Sequence, residues 1–596
     1  MAKRAKKTSA ADPESDTAHL GLVHQVATLT RAIFASPAGK SIAIIIIVLV
    51  LVVIVTAYGQ IRLNQWNKPF FDAMSRRDLR DFLYELGVFF LIAGCLLVLN
   101  VGQRWLVETL ELRLREGLVQ SLLEEWMQPR RAFWLANAGT IGVNPDQRMH
   151  EDARHLTELS ADLGIELLQA SILFATFAGV LWGLSSGFSI HVGEREYAVP
   201  GFMLWAAILY ASAGSLMSYW VGHGLIGRNA ERYAREADFR FSLVRVNEHV
   251  DAISLAEGES DEKRRIELNL KSVLAATRRI VWGHTNLTWV TAGFGWVTIV
   301  APILVAAPLY FMGKISFGGL MMAAGAFTQA QSSLRWFIDN FSAIADWRAT
   351  LLRVATFRHA LVSMNEPQGF ESRISYTEGE PGAIEIEELR IVSAANADML
   401  REQRIVVRAG ERALILGAPG TGKTQLFRAL AGLWPWGGGR VTRPRGEHIV
   451  YLPRGTPYLP RGTLREVLAY PMKPDRFAQA AYARALYRLG VERLALMLDE
   501  TRRWDRELSQ DEQMGLVFAR MLIQSPPWVL VDGTFGSLDD DVLEVVMDVF
   551  RKELKDTGII HIGGPGEAHP LFSTVLHLIK SPSAADAARQ ARGVRR

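Results

Sequence analysis

The sequence predicts an α-helical membrane-spanning half followed by a soluble α/β half. Three observations carry this prediction. Long uncharged apolar runs crowd the chain before about position 345 and thin out after it. A glycine-rich segment ending in Gly-Lys-Thr, at 417–424, follows a short apolar run and opens a helical pattern. Between the two regions, Glu366-Pro367-Gln368-Gly369 interrupts every periodic pattern, as a domain linker does.

At 596 residues the chain exceeds a single compact core. Apolar residues make up 49% of it, and the mean hydropathy is slightly positive, which is high for a soluble chain. The net charge of +4 is small for this length and gives no ground for a nucleic-acid partner. The one cysteine, Cys95, lies inside an apolar run, so no disulfide framework is expected.

The first forty residues, with Lys3, Arg4, Lys6 and Lys7, read as a basic polar segment. A cleavable leader would place its apolar stretch earlier. The run 41–58, SIAIIIIVLVLVVIVTAY, carries no charge. It is too long for a strand and suits a bilayer-spanning helix. Further runs at 82–101, 165–186, 202–224, 287–311 and 317–344 bring the expectation to six spanning helices in a transmembrane domain over 41–350. Gly and Ala soften the last two, which suits close helix packing in lipid. The stretches 102–163 and 225–286 are long, charged and helical in pattern, whereas 187–200 and 312–316 are short. Arg113, Arg115, Arg130, Arg131, Arg148 and Arg154 crowd the first long stretch, and Arg228, Arg232, Arg235, Arg240 and Arg245 the second. This excess places both, with the N-terminus, on the cytosolic side. The stretch 59–81, with Arg62, Lys68, Arg76, Arg77 and Arg80, runs against that assignment. A linker is expected over 351–380, a nucleotide-binding domain over 381–581 and a loose basic tail over 582–596. Within the domain, 384–389 and 413–416 read as strands and 423–433 as a helix. The unbroken apolar runs 528–531 and 559–562 read as strands covered on both faces.

Gly417-Ala418-Pro419-Gly420-Thr421-Gly422-Lys423-Thr424 is a complete Walker A motif in its required strand-to-helix context. Gly417, Gly420 and Gly422 let backbone N–H groups face phosphates. Lys423 reaches the β- and γ-phosphates, the Thr424 hydroxyl suits Mg²⁺, and Gln425 follows in the first turn. Trp528-Val529-Leu530-Val531-Asp532 ends an apolar strand in an aspartate, the Walker B pattern, and Asp532 is the second expected Mg²⁺ ligand. ATP with Mg²⁺ is therefore the expected cofactor of an α/β domain of the P-loop NTPase kind.

Other segments carry a family resemblance. Leu508-Ser509-Gln510-Asp511-Glu512-Gln513 resembles the signature of ATP-binding cassette (ABC) transporters. The stretch from Pro453 to Leu459, with Gly462-Thr463-Leu464-Arg465-Glu466, resembles their Q-loop region, and Gly536-Ser537-Leu538-Asp539 their D-loop. Asn144-Pro145-Asp146-Gln147-Arg148 with Glu151-Asp152, and Gly258-Glu259, resemble the SbmA/BacA-related branch that carries fused ATPase domains. The resemblance covers nearly the whole chain from about residue 40. It implies a six-helix exporter-type transmembrane fold, a half-transporter acting as a homodimer among the lipids of a bacterial inner membrane, and uptake of peptides or other hydrophilic solutes. It also implies ATP held between the Walker A of one subunit and the signature, Ser509 included, of the other.

The chain departs from that pattern at five places. Arg454 stands for the Q-loop glutamine, Gly533 for the glutamate after Asp532, and Gly564 for the switch histidine. Asp511 stands for a signature glycine, and no aromatic residue appears around 392–396. Three outcomes are compatible with these changes: slow hydrolysis, pairing with an intact subunit, or a proton-coupled carrier whose cassette clamps nucleotide. His561 and His569 neighbour the switch position, but His561 falls in an expected strand. In the membrane half, Glu158, Asp162 and Glu166 at i, i+4 and i+8 share a helical face. Arg154, one turn earlier, offers Glu158 an ion pair. Glu166 and Gln169, at the edge of the apolar run, suit a solute cavity or proton relay. His155 reads as a surface residue, and Trp205, Tyr219, Trp220 and Trp289 as interfacial anchors.

Overall fold

The computed structural model describes residues 21–136, 145–185, 189–192, 195–363, 373–392, 397–455, 457–564 and 570–580. The chain divides into two compact units between Asn365 and Glu366.

The membrane unit begins with α1 (Leu22–Ala35), inside the segment expected to be merely polar. Next come α2 (Gly39–Arg76) and α3 (Leu79–Trp126). The expected outer loop 59–81 is therefore helix on both sides of a two-residue turn. Arg77 takes φ +60°, and the Asp78 carboxylate caps α3 by accepting from the N–H groups of Arg80 and Asp81. Trp66 pins the turn from within: its ring lies 4.5 Å from Phe70, and its N–H donates to the Glu85 carbonyl at 2.8 Å. The described residues of the long stretch 102–163 hold the continuation of α3, a short helical turn over Arg131–Ala136, a π-turn over Arg148–Asp152, and the start of α4 (Ala153–Leu184). After a short hairpin of β1 (Ser189–Val192) and β2 (Arg195–Ala198) come α5 (Phe202–Gly222), α6 (Gly224–Glu248) and α7 (Glu259–Phe311). The last two helices are α8 (Phe317–Asp339) and α9 (Phe341–Ser363).

Among the described residues, five helical segments are long and apolar enough to cross a membrane. The sixth expected span, 317–344, is α8 plus the start of α9. Its glycines and alanines lower its hydropathy, yet it packs against α2, α4, α5 and α7. Leu320, Ala323, Ala326 and Phe327 of α8 share a buried cluster with Leu173, Phe177 and Leu181 of α4 and Ala57 of α2. The opposite helix faces expose Ile47, Leu51, Leu91, Val98 and Leu209, as contact with acyl chains requires. The expected linker from 351 is helical as far as Ser363, because Leu351, Val354, Phe357 and Leu361 bury one face of α9. The Glu366–Gly369 break and the tail 582–596 lie outside the described residues.

The soluble unit is a ten-stranded sheet among the described residues. Its strands are β3 (Ser375–Gly379), β4 (Ala383–Val392), β5 (Ala397–Leu400), β6 (Arg404–Arg408), β7 (Arg412–Gly417), β8 (Gly437–Pro444), β9 (Ile449–Leu452), β10 (Trp528–Asp532), β11 (Gly558–Gly563) and β12 (Thr574–Lys580). The order is β3-β8-β4-β5-β12-β7-β11-β10-β9, with β6 pairing β4. Strands β12, β7, β11, β10 and β9 form a parallel core. Every residue of β10 and β11 is buried, as their unbroken apolar runs predict. Three helices matter for the site: α10 (Lys423–Leu430), α11 (Gln510–Gln524) and α12 (Asp540–Lys552). The first stops three residues short of the expected 433, because Gly432 turns the chain at φ +71°.

Candidate functional site

The phosphate loop leaves the carboxyl end of β7, which lies between β11 and β12 in the parallel core. Gly420 and Gly422 sit at φ +80° and +41°, a backbone that side chains resist. A Cβ on Gly417 would stand 2.6 Å from the Thr421 hydroxyl, which itself donates to the Ala418 carbonyl at 2.7 Å. Lys423 opens α10 and folds back, its Nζ donating to the Gly417 carbonyl at 3.0 Å. Thr424 and Gln425 follow in the same first turn.

Asp532 ends β10 and is only 3% exposed. Burial pushes its carboxyl up, opposed by the Thr424 hydroxyl and by the nearby charges of Arg454 and Lys423. Its Oδ2 is buried without a hydrogen-bond partner. A buried orphan oxygen beside a threonine hydroxyl fits a hard divalent cation such as Mg²⁺, which when bound would neutralise phosphate charge.

Gly533 and Arg454, two of the positions that depart from the family pattern, lie beside this aspartate. Gly533 follows it at φ +60°, and its N–H donates to the Ile562 carbonyl at 2.8 Å. Arg454, exposed just past β9, brings its Cδ within 3.8 Å of where a Gly533 Cβ would begin. Gly564 comes directly after β11. His561 is fully buried within β11, its ring 4.9 Å from Phe535 and 5.4 Å from Phe572, so it belongs to the core. His569 and residues 393–396 lie outside the described residues. Ser509 caps α11 in a reciprocal pair with Glu512, and Asp511 is exposed in the first turn.

Sequence reasoning missed Asp398. This buried residue of β5 puts Oδ2 2.5 Å from where a Gly422 Cβ would stand, and its Oδ1 has no partner. Burial raises its pKa, partly offset by Lys580. The available signal was an acidic residue inside a four-residue strand.

In the membrane unit each predicted carboxylate already has a partner. Glu158 accepts from Arg154 at 3.2 Å. Asp162 pairs with Arg104 of α3 at 3.6 Å. Glu166 accepts from the Trp336 indole of α8 at 3.0 Å. Asp162 and Glu166 line a cleft of about 220 Å³ with Asn100, Gln103, Arg104 and Gln169. His155 pairs with Asp346 of α9 at 2.7 Å, and no metal-ligating cluster occurs among the described residues. A second polar group went unnoticed in the sequence. Thr56, Gln60 and Asn64 of α2 each carry a buried polar atom without a partner.

Residues 29–311 match the family described as ABC transporter transmembrane region 2, and residues 400–536 match the family described as ABC transporter. The chain is 27% identical to the inner membrane ABC transporter ATP-binding protein YddA of Escherichia coli, over 84% of this chain and 88% of that one. It is 26% identical to the chloroplastic ABC transporter D family member 2 of Arabidopsis thaliana, over 80% of this chain and 75% of that one. A bacterial Atm1-family ABC exporter with ATP bound shares the fold, with a TM-score of 0.70 at 16% identity over 93% of this chain and 97% of that one. A helical ABC membrane region joined in one chain to a cassette with an intact phosphate loop makes this protein an ABC half-transporter.

Proposed function

We propose that two copies of this half-transporter pair to carry peptides or other hydrophilic solutes inward across a bacterial inner membrane, powered by a cassette that binds ATP and hydrolyses it slowly. One observation carries the cassette reading. The nucleotide-holding groups are intact, while the position that would orient the attacking water is Gly533 in left-handed backbone with Arg454 beside it. Lys423 and the loop N–H groups would hold the β- and γ-phosphates, and Thr424 and Asp532 the Mg²⁺. No carboxylate follows Asp532 to take the proton of the attacking water, a loss of about 10²–10⁴ in rate. In a homodimer both sites carry the same losses. The inward direction and the solute class rest on the resemblance to the SbmA/BacA-related branch and on the polar groups buried in the membrane unit.

The test is phosphate release together with uptake of labelled tripeptides, measured on the same reconstituted vesicles with Lys423→Ala as the blank. Turnover at about 1 s⁻¹ or faster, an ordinary enzyme rate, overturns the slow cassette. The cleft holding Asp162 and Glu166 favours a second reading, proton coupling. Uptake by Glu166→Gln that equals the native protein between about pH 5 and pH 8 removes it.

A further inference from the structure

We infer that the seam between α2 and α8 is a hydrated hydrogen-bonding site inside the membrane unit, suited to neutral amide and hydroxyl groups. Thr56, Gln60 and Asn64 stand at i, i+4 and i+8 of α2 and so share one face. That face turns inward. Thr56 and Asn64 are buried, and so are Val53 and Ala57 beside them. Thr56 Oγ1, Gln60 Oε1 and Asn64 Nδ2 are all buried without a hydrogen-bond partner among the described residues. Buried polar atoms normally find partners, and lipid offers none. Three orphans in one stripe require a polar occupant.

The facing helix packs directly against this stripe, and a glycine lets it do so. A Cβ on Gly325 of α8 would stand 2.6 Å from Asn64 Oδ1 and 3.5 Å from Asn67 Nδ2. Thr328, Gln329 and Ser332 lie at i+3, i+4 and i+7 from Gly325, so that side of α8 is also polar and uncharged. Thr328 and Ser332 are exposed, which gives the seam an opening. Of the nearby charges on α2, Arg62 is exposed and off the stripe, and Lys68 is exposed one turn beyond Asn64. Donors and acceptors without net charge select a neutral occupant. Glu158, Asp162 and Glu166 differ, because each already has a partner.

The experiment reads water access in the full-length protein with Cys95→Ala as background. Gln60→Cys and Asn64→Cys should react with the neutral reagent hydroxyethyl methanethiosulfonate at least about tenfold faster than Val53→Cys, which lies in apolar packing. Comparable rates with cationic and anionic methanethiosulfonates support a neutral site, and a preference for either charge beyond about tenfold overturns that part. Rates as slow as Val53→Cys at both positions overturn the proposal. Slowing of Asn64→Cys by added triglycine assigns a solute amide to the seam, and unslowed reaction assigns water. Gln60→Leu and Asn64→Leu guard against misfolded cysteine variants. A hydrated seam leaves their melting midpoints unchanged or lower, whereas a dry seam would gain stability on losing its orphans, and a raised midpoint overturns the proposal. None of these readouts involves turnover or uptake, so a failure here leaves the transport reading standing.

Discussion

Gly533 holds φ at +60° directly after the buried Asp532, with the Arg454 stem in van der Waals reach, 3.8 Å, of a Cβ placed there. The identity of a glycine says nothing of its φ, so the sequence presents position 533 as a missing carboxylate alone. The backbone adds about 1–2 kcal/mol against any other residue, and Arg454 stands ready to pair with whatever carboxylate arrives. Gly533→Glu with Gly564→His is therefore expected to lower the melting midpoint and keep phosphate release within about tenfold of native. Adding Arg454→Gln should release a larger gain. Equal gains with and without Arg454→Gln would acquit the arginine. Asp398 supports a second test. Burial raises its folded pKa above the ordinary aspartate value, so its folded form holds the proton longer than the unfolded chain does. Stability is then full below the unfolded pKa, falls as pH rises toward the folded pKa, and stays low above it. Asp398→Asn should melt higher than native at about pH 8, with the difference shrinking toward about pH 4. A difference that does not change with pH would assign the effect to packing.

Helices α4 and α9 meet along a seam of polar pairs. Arg353 binds Asp152 through two nitrogens, at 2.9 and 3.2 Å, and Arg148 reaches the same carboxylate at 2.6 Å. One turn on, His155 meets Asp346, and the Trp347 indole donates to Ser160 at 2.9 Å. Asp152 is 5% exposed, and removing it takes the shared carboxylate from two half-buried guanidinium groups. Asp152→Ala should destabilise the membrane unit by about 1.5 kcal/mol, read as a lower melting midpoint and faster tryptic cleavage near α9. An unchanged midpoint would show the network to be solvated in practice. Such pairings explain what the sequence shows and hides. The phosphate loop was legible because one short backbone segment contains all of it. Trp336, the partner of Glu166, lies 170 residues away, beyond any local pattern. Thr56, Gln60 and Asn64 had visible helical spacing, but the apolar run ends at Tyr58 and put the latter two in a loop. Only Arg77 and the Asp78 cap, which confine the turn to two residues, extend α2 through them.

The two compact units give nucleotide a local target. ATP·Mg²⁺ at a hundredfold excess over its Kd should stabilise the soluble unit by about 2.7 kcal/mol through mass action. The corresponding rise in its melting midpoint should vanish in Lys423→Ala, and a shift that survives the substitution would place the nucleotide elsewhere. The membrane unit has helices of 38, 48 and 53 residues, longer than a bilayer is thick, and these carry a mechanical consequence. Helix α7 runs for 53 residues, about 80 Å of rod. About 30 Å of hydrocarbon can grip it, so about 50 Å projects as a lever arm. A tilt of about 10° at the fulcrum then sweeps the free tip near Glu259 through about 9 Å. By this gearing, a rearrangement within the membrane no larger than a side-chain repacking becomes a displacement of about 9 Å at the far end.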